Sequence, residues 1–250
     1  IIFAFPCAIV YKVQPIADKA GALLMACNMD PRTAQKSSRT FRVFPDLRQQ
    51  THAMLRYLGK GNGKRAAVIR FNMPSPNCAV TDFLLPGLKS EGWQVVADAV
   101  YDMKKRDYES AVSQVKAGNP DVILMYVDKE AVPALLKLFK KEDLLGKANI
   151  VGGISFAFPF KLPPDVLEGV TVVLPACALS ERLKFRTSWL GEEYRKRHGK
   201  PPHMFAGFCF DGAMLVGHAL KGKGINTTDV QTYLKSVRNY QGVTGSITFN

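Results

Sequence analysis

At 250 residues, with 47% hydrophobic and 22% charged residues, the chain is long enough for one large domain or two modest ones that bury their own cores without metal or disulfide staples. A formal charge of +13 raises nucleic acid as a partner, but the basic residues, among them Lys137, Lys140, Lys141, Arg195, Lys196 and Arg197, lie on expected helix faces without interleaved aromatics. A solvated surface or a steering field for an acidic small ligand is therefore expected, with no nucleic acid, and no apolar run reaches the ~20 residues of a membrane span, so the protein is expected to be soluble or at most tethered.

In chain order, residues 1–5 read as a strand already inside a domain, with no basic leader and no cleavage site. Residues 245–250 likewise stop in a strand, so the sequence is expected to be a fragment. A helix is expected over 13–20, stopped by Gly21, and then strands over 22–26 and 40–44 separated by the turn Asn28-Met29-Asp30-Pro31. Asp46 opens a helix through Gln50, Met54 and Leu58. The glycine run 59–64 follows a helix and opens a strand, the reverse of a dinucleotide fingerprint, so it is expected to be a flexible joint.

From Lys64 to Asp128 strand and helix alternate almost without interruption: 65–70, 82–90, 92–97, a helix through Ala111, Val112 and Val115, and 121–126. This alternation predicts an α/β fold with a parallel sheet covered by helices on both faces, in which ligands sit beyond the carboxyl ends of the strands. The segments 71–76 and 127–130 are thus where function is expected. Further on come a helix through Leu135, Leu136 and Phe139, ended by Gly146, a strand over 149–152, an aromatic loop over 153–160, a helical turn at 163–165 and a strand over 169–174. Residues 180–198 and 204–220 read as long helices, the second apolar on nearly every face and so expected to be buried. A last helix begins at Thr228-Asp229, and 241–245 is a turn into a final strand.

The five cysteines, Cys7, Cys27, Cys78, Cys177 and Cys209, contain no CxxC pair, which excludes the usual zinc and thioredoxin-like signatures. Burial as small hydrophobes is their commoner fate, and one bridge stays open in an oxidising compartment. The histidines, His52, His198, His203 and His218, are near no Gly-x-Ser-x-Gly elbow and no HExxH, so an enzyme is not expected, nor is any cofactor or metal. Phe71, Tyr126, Phe156 and Phe158 at strand ends suggest an apolar or aromatic ligand body, and Arg70 and Lys129 offer partners for a ligand carboxylate.

The pieces Pro15-Ile16-Ala17-Asp18-Lys19-Ala20-Gly21, Phe41-Arg42-Val43-Phe44-Pro45, Lys64-Arg65-Ala66-Ala67-Val68-Ile69, Asp107-Tyr108 leading to Asn119-Pro120-Asp121, Leu167-Glu168-Gly169-Val170, Phe210-Asp211-Gly212-Ala213 and Gly242-Val243-Thr244-Gly245 stand in one order over essentially the whole chain. In that order and spacing the sequence resembles the type I periplasmic binding proteins of branched-chain amino acid (Leu/Ile/Val) ABC importers. The resemblance implies a two-lobe α/β fold, each lobe a parallel sheet flanked by helices. The amino-terminal lobe is expected over 1–59 and 176–238, the carboxy-terminal lobe over 60–175 and 239–250, and two preceding βα units, roughly 60 residues at ~30 per βαβ unit, are implied.

It further implies a periplasmic or extracellular monomer that captures a small-molecule ligand by hinge closure and presents it to an ABC permease in the membrane. By position, the family's ligand-contacting places fall on Cys7 and Ala8, Asn28 and Met29, Ser75, Asp128, and Ile154 with Ser155. The residue that would face a ligand ammonium with an acid is Ile154 here, so a standard α-amino acid is a poor fit and an aromatic or short carboxylate a better one, with Asp128 either a substitute carboxylate or a solvated loop residue. A sensing module of the same fold that reports to a receptor is the alternative reading.

Overall fold

A computed structural model describes residues 1–178 and 189–249 and divides the chain into two compact units, Ile1–Asp46 with Pro175–Asn250, and Leu47–Leu174. The expected helix over 180–198 is described only as Trp189–His198; its first half lies outside the described residues.

In the first unit β1 (Ile2–Ala4), β2 (Leu24–Ala26) and β3 (Thr40–Arg42) form a parallel sheet in that order. Helix Cys7–Lys19 starts six residues earlier than its expected beginning and carries Pro15 within it. It buries Val10, Gln14 and Ala17, and Val10 and Ala17 pack with Ala4, Leu24 and Ala26 into a small core. Gln14, an amide inside that surface, is satisfied because its Nε2 donates to Thr33 O at 2.7 Å and to Thr40 Oγ1 at 2.9 Å.

Helix Met204–Lys223 buries Met204, Phe208, Leu215, Val216 and Ala219, a stripe at helical spacing, while Met214 and Leu220 are exposed. The expectation of a helix buried all round is thereby corrected: the apolar residues off the stripe include Cys209 and Ala213, too small to demand a second packing partner. The final residues form an antiparallel hairpin, β9 (Tyr240–Gly242) with β10 (Gly245–Ile247), instead of a single strand. Asp211 ties it down, accepting from Val243 N at 2.8 Å, Thr244 N at 2.9 Å and Thr244 Oγ1 at 2.5 Å. The hairpin therefore groups with the first unit, not with the second as expected.

Asp30, buried beyond β2, accepts from Arg32 N at 2.8 Å, from Arg32 Nε at 3.0 Å and from Tyr11 OH at 2.5 Å. Burial opposes its ionisation, but the hydrogen bonds from Arg32 and Tyr11 outweigh that and hold the carboxyl below its ordinary value. A depressed carboxyl stabilises the fold fully above its unfolded pKa of about 3.9, and the contribution is lost as pH falls through the lower folded value. Chemical unfolding of Asp30→Asn should accordingly show a flatter stability curve below about pH 4 than the parent.

The second unit has one parallel sheet of β4 (Arg65–Phe71), β5 (Gln94–Tyr101), β6 (Val122–Tyr126), β7 (Asn149–Gly152) and β8 (Val170–Val172), in the order β5-β4-β6-β7-β8. Its central strands read as unbroken apolar runs because helices cover both faces, and Ile69, Ile123, Met125, Leu135, Leu136 and Phe139 are nearly inaccessible to solvent. The chain leaves β4 for the edge strand β5 and then returns to the other side of β4 as β6. That reversal opens a crevice at the carboxyl ends of β4 and β6.

The expected joint at 59–63 is corrected. Helix Leu47–Leu58 and β4 both belong to this unit, and the glycines make a tight turn held by Trp93, whose Nε1 donates to Gly59 O at 2.9 Å. Gly61 lies so close that a Cβ there would sit 2.5 Å from the Trp93 ring, so the glycine serves close packing and the chain passes between units at Asp46 instead.

Candidate functional site

All the site residues expected from the sequence fall at or just beyond the carboxyl ends of parallel strands, in two groups, one per unit. In the first unit, Cys7 begins helix Cys7–Lys19 immediately after β1 and is half-buried, with Ala8 exposed beside it. Helix amino termini leave backbone N–H groups without intrahelical partners. Beyond β2, Asn28 is 2% exposed and Met29 half-buried. Asn28 Nδ2 donates to Thr33 Oγ1 at 2.7 Å, and its Oδ1 is buried with no protein partner.

In the second unit, Phe71 ends β4 and is half-buried, and Ser75 is buried in the turn of helix Pro74–Cys78 that follows. Tyr126 ends β6, buried, with its hydroxyl 2.7 Å from Thr51 Oγ1. Burial of the ring drives the Tyr126 hydroxyl far above its ordinary pKa, so it is a neutral hydrogen-bonding group.

Asp128 follows on the same strand exit. Its Oδ2 accepts from Tyr101 OH at 2.7 Å and its Oδ1 from Ala131 N at 3.1 Å, at the start of helix Ala131–Lys141. Both carboxylate oxygens are thus engaged in holding the strand exit and the helix start. Burial, then the hydrogen bond to Asp128, pushes the Tyr101 hydroxyl well above its usual range.

After β7, Ile154 is 7% exposed and its N–H donates to Gln50 Oε1 at 3.3 Å. Ser155 is half-buried and its hydroxyl donates to Val127 O. Gly153 permits this arrangement, since a Cβ there would meet the Gln50 amide at 2.1 Å. Gly152 is covered by the Phe156 ring in the same way, at 2.2 Å from the position a Cβ would take.

The structure joins Tyr126, Val127 and Ser155, and adds three residues that sequence reasoning missed: Gln50, Thr51 and Tyr101. Gln50 and Thr51 reach strand ends far along the chain from a helix expected for its apolar stripe alone. Thr51 stands in the apolar stripe of that helix with Leu47 and Met54, and a hydroxyl at such a position is the sequence signal that could have found it.

Arg70 does not offer its charge to a ligand. Its Nε and Nη2 bind both oxygens of Asp98 at 2.8 and 2.9 Å, and its Nη1 donates to Asn77 Oδ1. Lys129 remains exposed, with its Nζ 5.1 Å from the centre of the Phe158 ring. Among the described residues no His/Cys/Asp/Glu group has the arrangement of a metal site, and no helix is long and apolar enough to cross a membrane.

Comparison with known proteins adds an independent line. Residues 1–250 match a family model described as periplasmic binding protein. No curated protein sequence matches. Among solved structures, the leucine binding protein LivK of Thermotoga maritima is similar at a TM-score of 0.78 and 19% identity, over 100% of this chain and 72% of that one. The branched-chain amino acid binding protein LivJ of Streptococcus pneumoniae, in complex with isoleucine, gives 0.69 and 19% over 94% and 67%. A solute binding protein of Rhodopseudomonas palustris in complex with 3,4-dihydroxybenzoic acid gives 0.72 and 17% over 96% and 67%.

Proposed function

The chain belongs to the periplasmic binding protein family, in its type I form, and from that premise we propose that it captures a small organic acid with an aromatic or apolar body for an ABC importer. The observation that carries this reading is Ile154, apolar and buried just beyond the carboxyl end of β7. Within the second unit Asp128 is turned to Tyr101 and Ala131 N, and within the first Asp30 is paired with Arg32 and Tyr11. An ammonium brought against Ile154 would lose water without gaining a counter-charge from that residue, at a cost of several kcal/mol.

The aromatic residues of the second unit supply an apolar wall, with Phe71 and Tyr126 at the carboxyl ends of β4 and β6 where the strand order reverses. Polar orientation would come from the Cys7 helix start and from Asn28, whose buried Oδ1 lacks a protein donor and would accept from a ligand hydroxyl or a bridging water. Capture by hinge closure, delivery to a membrane permease and residence outside the cytoplasm, as a monomer, complete the proposal. Closure needs only that the solute bind the closed state better than the open one.

Thermal unfolding of the chain with 3,4-dihydroxybenzoate, benzoate, aliphatic dicarboxylates, leucine and isoleucine tests it. A ligand that binds only the folded state raises Tm, so an aromatic acid at a hundred times its Kd should add about 2.7 kcal/mol, a shift of several degrees. A shift with leucine or isoleucine and none with the aromatic acids would overturn the proposal.

A further inference from the structure

The first unit contains a cavity of about 120 Å³ lined by Phe3, Ala4, Phe5, Met25, Val43 and two cysteines, Cys27 and Cys209. Cys27 follows β2 and is fixed there, 3% exposed, by its N–H donating to Ala4 O at 3.1 Å. Cys209 lies in helix Met204–Lys223 at the margin of the buried stripe and is exposed. Strand end and helix, distant in sequence, thus bring one buried and one accessible thiol to a single void in an otherwise apolar lining. All five cysteines are free thiols here.

We propose that Cys27 and Cys209 are a redox-active dithiol that closes to an intramolecular disulfide at the expense of a small disulfide such as oxidised glutathione. Both thiols face the same void, and their mutual hydrogen bonding lowers the Cys209 thiol against the opposing effect of burial. The same hydrogen bond, followed by burial, drives Cys27 strongly upward. Cys209, exposed, is therefore the thiol that an external disulfide can reach, and the buried Cys27 is the resolving thiol. The void beside them gives the side chains room to move to bonding geometry without displacing packed neighbours.

The Cys209 thiolate attacks one glutathione sulfur; the glutathione S–S bond breaks and one glutathione thiolate departs with the electron pair. Cys27 loses its proton to solvent and attacks Cys209 Sγ, expelling the second glutathione thiolate. Two protein thiols are oxidised to one disulfide and one glutathione disulfide is reduced to two thiols. The product would staple the end of β2, next to Asn28 and Met29, to the long helix.

The whole chain, reduced and then incubated with oxidised glutathione at about pH 8, tests this by peptide mapping under non-reducing conditions. The expected result is a Cys27–Cys209 linked peptide, two fewer titratable thiols, and a Tm raised by several degrees. Cys27→Ser should stop at a stable glutathione adduct on Cys209, and Cys209→Ser should form neither adduct nor bridge. Persistence of the adduct on Cys209 in the parent chain, both residues remaining thiols, or Cys27 linked instead to Cys7 would overturn the proposal. The map of the parent chain decides the matter if either variant fails to fold.

Discussion

Asp211→Ala lowers the unfolding free energy of the first unit by about 2–3 kcal/mol, since it removes a buried carboxylate acceptor from three half-buried donors. The carboxylate is 1% exposed and takes hydrogen bonds from two backbone N–H groups and one hydroxyl of residues 243–244. Alanine leaves those half-buried donors with incomplete hydration in place of a carboxylate. Gly242 packs on the carboxylate so closely that a Cβ would stand 2.5 Å from it, so the hairpin cannot settle elsewhere without losing this contact. Asp211→Asn keeps the shape but turns an NH₂ toward a donor, and about half the loss is expected. Denaturant unfolding followed through Trp189, the tryptophan of the first unit, reads both values, and hydrogen exchange at Val243 and Thr244 should accelerate with them.

Arg70→Met is expected to cost about 2–3 kcal/mol of the second unit's stability and to leave the affinity for an acidic ligand within about threefold. The Arg70 side chain is 11% exposed and that of Asp98 26%, so the orphaned carboxylate keeps some water and the loss stays below that of a fully buried pair. Arg70→Met with Asp98→Leu should recover most of the stability, because two apolar residues replace the pair. Had Arg70 been the anchor for a ligand carboxylate, the single variant would lose at least about a hundredfold in affinity. Urea unfolding and ligand titration of the same three proteins separate these outcomes.

The Arg70–Asp98 pair also shows where sequence reading reaches its limit. Asp98 is the one charge of β5 and Arg70 a charge near the end of β4, and the parallel register that aligns Val68 with Asp98 puts Arg70 two residues farther along the same face. The pairing was available once β4 and β5 were known to be neighbours, but a charge near a strand end reads first as a ligand contact. Strand β7 needed no such knowledge: residues 149–152 carry their own apolar run between breakers, and the structure places the strand there. Helix 47–58 was legible from its stripe, whereas the reach of Gln50 to the Ile154 N–H depends on a contact between segments about a hundred residues apart.

Glycine misled in one place and informed in another. The run at 59–63 has linker composition, yet its function is to admit Trp93, a packing relation that no local pattern records. The glycines of 242–245 were read as a turn, and they form one, but its attachment to Asp211 is a long-range carboxylate contact. The candidate site follows the same division. That it lies beyond strand ends came from the alternation of elements alone; that Asp128 caps a helix and holds Tyr101 came only from the folded arrangement.

Calorimetric titration of the whole chain with an aromatic carboxylate and, separately, with aliphatic α-amino acids puts the account to its sharpest trial. It predicts one-to-one micromolar or tighter binding of the aromatic acid, with the negative heat-capacity change of apolar burial, and no measurable heat from the amino acids. Tight binding of an aliphatic amino acid would contradict it, because an ammonium would then have found a counter-charge that Ile154 does not offer.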